Sequence, residues 1–242
     1  MSSPAAVDLS LGAVLWDMDG TLVDTEPYWI AREFEIVNEF GNGAWNDAHG
    51  HAVVGKDLRD TARYMSTHGA LDLPIDDIVN LLLDGVIARV QQEVPWRPGA
   101  RELLADLGAA GIPCALVTMS WRRFTDALLP ALPAGSFTAV VAGDDVSRGK
   151  PHPEPYLTGA ARLGMAPHQC VAIEDSPTGA RSALAAGCVV LAVPHVVPVP
   201  DDVAHHRLTT LAGVGAEQLR EVHRTHVTAA HAVTERGEDN HE

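Results

Sequence analysis

The feature that most constrains this chain is alternation. Short apolar runs stand at 11–17 (LGAVLWD), 113–119 (PCALVTM), 138–142, 170–175 (CVAIED) and 188–193 (CVVLAV). Continuous apolar runs of this length suit strands covered on both faces. Helical patterns separate them. Residues 100–110 turn Leu103, Leu104 and Leu107 to one face before Gly111, and further helices fit 121–131 and 153–164, the latter closed by Gly164. Ser176-Pro177 opens another, with Ser as N-cap and Pro in the first turn, and Gly187 ends it. Strands alternating with helices imply an α/β fold, a doubly wound parallel sheet of Rossmann-like form.

One segment breaks the rhythm. Between the first two strands, 25–41, 57–68 and 75–93 carry helical spacing, and Val94-Pro95-Trp96-Arg97-Pro98-Gly99 reads as a linker. The expected organisation is therefore a core from 1–24 and 96–222 and an inserted helical cap at 25–95. Leu22–Glu26 and Val94–Pro98 are the expected hinges, and 223–242, polar and His-rich, the expected flexible tail.

Charge narrows the partners. The formal net charge is -15, which disfavours nucleic acid and anionic membranes. No apolar run reaches the ~18 residues of a membrane span, and the first residues lack a secretion signal. Cys114, Cys170 and Cys188 lie in or beside apolar runs, without metal-binding spacing, as in a reduced cytoplasmic protein. The chain has fifteen Arg but only two Lys, Lys56 and Lys150, which makes each Lys a position to explain.

In a doubly wound sheet, ligands bind beyond the C-terminal strand ends. Four loops there carry chemistry: Asp17 and Asp19; Thr118 and Ser120; Lys150; Glu174 and Asp175. Two carboxylates ~4 Å apart repel by ~4 kcal/mol at an effective dielectric of 20, so several converging acids need a cation or protonation. Hard oxygen ligands without Cys or His favour Mg²⁺.

DMDGTLVDTE, LVTMS, KPHPEPY and IEDSPTGARSALAAG, in this order and over most of 11–195, resemble the haloacid dehalogenase superfamily. The nearest branch is its helically capped phosphatases and β-phosphoglucomutase-like enzymes. The resemblance implies Asp17 as the nucleophile forming an aspartyl-phosphate and Asp19 as general acid and base, its backbone carbonyl facing the metal. It implies Thr118, with backbone N–H groups near Met119 and Ser120, as the phosphoryl cradle, and Lys150 as the compensating charge. The Mg²⁺ ligands would be Asp17, Asp19 and Asp175, with Glu174 beside them directly or through water. The second Asp argues for an alcohol leaving group, hence a small phosphate ester such as a sugar or polyol phosphate; a single capped core is expected to be a monomer. The alternatives are a sugar phosphomutase, which would place a His near Trp29 and an Arg near Leu58, and a non-catalytic phosphate-binding protein.

Other positions carry weaker readings. Lys56, in VVGKDL, is a candidate substrate contact or a solvated helix-start lysine. Trp29 belongs to core packing or the pocket mouth, and His49 and His51 to packing or surface. Asp144 and Asp145 could orient Lys150 or the metal shell. Arg122 and Arg123 read as a solvated helix face.

Overall fold

The computed structural model describes residues 10–41, 43–53 and 57–238, with side chains through Thr228. Lys56 lies outside the described residues.

The chain lays down β1 (Ala13–Trp16) and then four helices: α1 (Glu26–Phe40), α2 (Asp47–Val53), α3 (Leu58–His68) and α4 (Ile75–Gln92). It continues with α5 (Ala100–Ala109), β2 (Cys114–Val117), α6 (Arg122–Leu128), β3 (Ala139–Val141), α7 (Glu154–Arg162), β4 (Cys170–Glu174) and α8 (Pro177–Ala185). β5 (Val189–Ala192), β6 (His206–Arg207) and α9 (Ala216–Glu238) complete it. The strands form one parallel sheet in the order β3-β2-β1-β4-β5-β6. The order reverses at β1, which is where such sheets open a crevice.

Register explains why distant residues meet. Trp16 on β1 pairs with Leu116 on β2 and Ile173 on β4. The residues that follow these three therefore leave the sheet at one level. The Asp17 N–H still donates to the Ile173 carbonyl at 3.1 Å, and the Thr118 N–H to Val141 at 2.9 Å.

One face of the sheet presents Leu15, Val117, Ala172 and Val190 to α7 and α8, which bring Tyr156, Ala160, Ala180 and Ala183 into the same core. Small residues there let the helices lie close to the strands. The other face is covered in part by α9. The expectation of a frayed tail from about His223 is corrected here, because α9 runs on through that point. Leu219, Val222, His223 and Val227 are buried at helical spacing, and His223 Nε2 donates to the His168 carbonyl at 2.8 Å. The apolar stripe is thin and a histidine stands within it, so the polarity of the segment masked it. α2 and the two-residue β6 were also not anticipated, both being too short to show a period.

By packing, the described residues divide into two compact units. The first comprises the stretch before Asp24, Trp96–Arg122 and the chain from Pro133; the second, Asp24–Pro95 with Arg123–Leu132. The helix near 121–131, expected in the core, groups instead with the helical unit.

Within the second unit, α1 and α4 bury Ile36, Val37, Ile78, Leu82, Val86 and Val90. Phe124 of α6 is fully buried and meets Trp29 edge-on, centroids 5.7 Å apart. Arg123 donates to Asn80 at 2.7 Å and pairs with Asp84. His49 lies against Trp45, centroids 5.0 Å apart, and His51 Nδ1 is 2.6 Å from the Asp47 carbonyl, so both serve local packing.

Candidate active site

Each site residue begins where a strand ends. Asp17 follows β1, Thr118 follows β2, Glu174 is the last residue of β4 and Asp175 follows it. Lys150 comes from the loop after β3 and is held by its own surroundings. Its backbone N–H points at the Met119 sulfur at 3.0 Å. Lys150-Pro151 is cis.

The centre is one ammonium among carboxylates. Lys150 Nζ donates to Asp17 Oδ1 at 2.7 Å, Glu174 Oε1 at 2.6 Å and the Val117 carbonyl at 3.0 Å. All three of its protons are thereby used. Glu174 is fully buried, and its Oε2 accepts from the Ser176 hydroxyl at 3.1 Å. The Ser176 hydroxyl also caps α8 by accepting from Gly179 N–H at 3.1 Å, as the Ser-Pro pair had suggested.

Charge does not balance here. Asp17, Glu174 and Asp175 bring carboxylate oxygens within 4.8 Å of one another, the only group of three or more such ligand residues among the described residues. One lysine offsets one of them. Burial, then Glu174 and Asp175, push Asp17 well above the usual carboxylate range despite Lys150. Burial and Glu174 raise Asp175 to about 7. The same two acids, Asp17 and Glu174, hold the lysine charged: burial favours loss of its proton, but they outweigh it and raise its pKa. Asp17 Oδ2 is buried and has no hydrogen-bond partner. An orphaned carboxylate oxygen beside two further acids is what a hard divalent cation fits.

Asp19 stands apart from this group. Its Oδ2 accepts from the Ser120 hydroxyl at 2.7 Å, with Thr118 Oγ1 at 3.5 Å. Thr118 Oγ1 accepts from the Ser120 N–H at 3.0 Å, so the loop Thr118–Ser120 is a tight turn around Asp19. Gly20 follows with φ +90°, and a Cβ there would come within 2.2 Å of Asp175 Oδ2. Glycine is thus required both for the left-handed turn and for the approach to the acid.

Asp144 and Asp145 correct an expectation. They do not reach Lys150. Asp144 accepts from the Arg122 N–H at 2.8 Å, while Asp145 pairs with Arg122 and, at 2.9 Å, with Arg162. They fasten the start of α6, and Arg122 is engaged rather than solvated. Sequence reasoning missed Tyr156. Its hydroxyl, on a fully buried ring, donates to Glu174 Oε1 at 2.6 Å. Its place in KPHPEPY, one helical turn beyond the lysine segment, was the available signal.

Fold and site together define a parallel α/β protein whose acidic cluster, at the reversal of strand order, is built around one buried lysine. A model of the haloacid dehalogenase-like hydrolases matches residues 14–193, most of the chain. The chain belongs to this family and is an enzyme of it. It is 36% identical over 189 residues to hexitol phosphatase A of Escherichia coli strain K12, covering 74% of this chain and 81% of that protein. It is 33% identical over 198 residues to the phosphoglycolate phosphatase of the same strain, covering 72% and 78%. The crystal structure of CbbY from Rhodobacter sphaeroides in complex with phosphate superposes with a TM-score of 0.75 at 27% identity, covering 86% of this chain and 98% of that one.

Proposed function

We propose that the chain is a Mg²⁺-dependent phosphatase of small phosphate monoesters, sugar or polyol phosphates in particular, acting through an aspartyl-phosphate. The observation that carries this reading is Lys150 Nζ between Asp17 and Glu174, with the second Asp17 oxygen buried and unpaired. A compact ammonium held in that way fixes the orientation of the Asp17 carboxylate and offsets charge that builds up beside it. The relatives named as hexitol and phosphoglycolate phosphatases support the substrate class.

A carboxylate oxygen of Asp17 attacks phosphorus and the bond to the leaving oxygen breaks. Asp19, protonated and held by Ser120 and Thr118, gives its proton to the departing alkoxide. As a carboxylate it then accepts a proton from the water that attacks the aspartyl-phosphate, and inorganic phosphate leaves with Asp17 restored. The Thr118 hydroxyl and the backbone N–H groups near Met119 and Ser120 receive phosphoryl oxygens. Asp17 and Asp175 would hold Mg²⁺, with Glu174 alongside and the Asp19 carbonyl facing it. When bound, the ion would supply the positive charge that the cluster lacks. The enzyme works as a monomer in the cytoplasm.

The test is phosphate release from a panel of hexitol, sugar, glycolytic and nucleotide phosphates, with Mg²⁺ and with chelator, beside Asp17→Asn. Metal-dependent release that Asp17→Asn abolishes is the expected result. Release that survives Asp17→Asn would sink the covalent mechanism.

A further inference from the structure

We propose that Tyr156 is a positioning residue that fixes Lys150 by locking the Glu174 carboxylate in place. This rests on Lys150 being the charge-compensating group of the reaction proposed above.

Glu174 is gripped from both sides. Tyr156 Oη donates to Oε1 at 2.6 Å and Ser176 Oγ to Oε2 at 3.1 Å, so the carboxylate cannot rotate without losing a hydrogen bond. Oε1 is also the oxygen that takes Lys150 Nζ at 2.6 Å. Lys150 Nζ additionally stands 5.0 Å from the centre of the Tyr156 ring. Tyr156 thus meets the ammonium twice, through a shared carboxylate oxygen and through its ring face. Lysine is a flexible stem with a point charge, and its placement depends on what surrounds its tip. Here both lysine and anchor come from one short segment, the loop after β3 and the first turn of α7. That segment supplies the charge and the part that aims it.

A tyrosine that only filled the core could be replaced by phenylalanine without consequence for the lysine. The ring would remain; the hydroxyl alone would be lost. Because the chain has only two lysines, protein labelled with ¹⁵N at lysine Nζ gives two ammonium signals, and Lys56→Arg assigns them. We expect Tyr156→Phe to shift and broaden the Lys150 signal while leaving that of Lys56 in place. We expect kcat on a hexitol phosphate to fall about tenfold or more, the scale of one hydrogen bond to a charged group, with KM within about twofold. An unmoved Lys150 signal overturns the proposal, and so does an unchanged kcat, whatever happens to thermal stability. If the wild-type chain releases phosphate from no ester, the functional reading falls, while the Lys150 signal still decides the anchoring.

Discussion

Replacing Glu33 by Gln should stabilise the helical unit, and more so as pH rises. Glu33 lies on α1, is 3% exposed, and its Oε2 has no hydrogen-bond partner. Burial raises its pKa from 4.5 to about 8. The folded state therefore keeps a proton that the unfolded chain has released. Between pH ~4.5 and ~8 stability falls as pH rises, by at most 1.36 kcal/mol for each unit. Below that window the carboxyl is neutral in both states and costs little; above it the loss is complete. The interval of about 3.5 units gives an upper limit of about 5 kcal/mol. Gln keeps the neutral shape at every pH. The assay is amide hydrogen exchange in peptides covering Glu26–Phe40, in the full chain, from pH 5 to 9. Taking the difference between wild type and Glu33→Gln at each pH removes the contribution of every other titrating group. A gap that opens from pH 5 and levels off above pH 8 is expected. A gap of constant size, or one that closes with rising pH, would refute the reasoning.

Two further outcomes follow from the acidic cluster. Mg²⁺ should raise the melting temperature, by the equivalent of about 2.7 kcal/mol at a hundred times its Kd, and chelator should reverse this; Asp175→Asn should largely abolish the shift in a thermal scan. Gly179→Ala should cost several kcal/mol and activity together, because a Cβ there would come within 1.7 Å of Glu174 Oε1; denaturant unfolding and phosphate release would check it.

Much of the site was legible because its residues sit immediately after apolar runs, and parallel register brings the ends of such runs to one level. Asp17, Thr118 and Asp175 needed nothing more than that rule. What did not show were destinations. Asp144 and Asp145 looked like site acids because they follow β3, but two arginines from α6 and α7 claim them, and pairing across 17 to 23 residues leaves no local pattern. Tyr156 lies inside a recognised motif but drew no role of its own; the fold turns its hydroxyl onto Glu174. α9 hid its buried stripe behind histidines, one of which is itself buried.

The division of neighbouring arginines has a consequence for modularity. Arg122 is fastened to Asp144 and Asp145 in one unit and Arg123 to Asn80 and Asp84 in the other. The helical unit is therefore no simple cassette. A graft that moved only Asp24–Pro95 onto another scaffold would leave Trp29 without Phe124, and α4 without its arginine. Moving the helical unit intact therefore means carrying Arg123–Leu132 along with the long insert, two stretches of this chain that lie far apart in sequence.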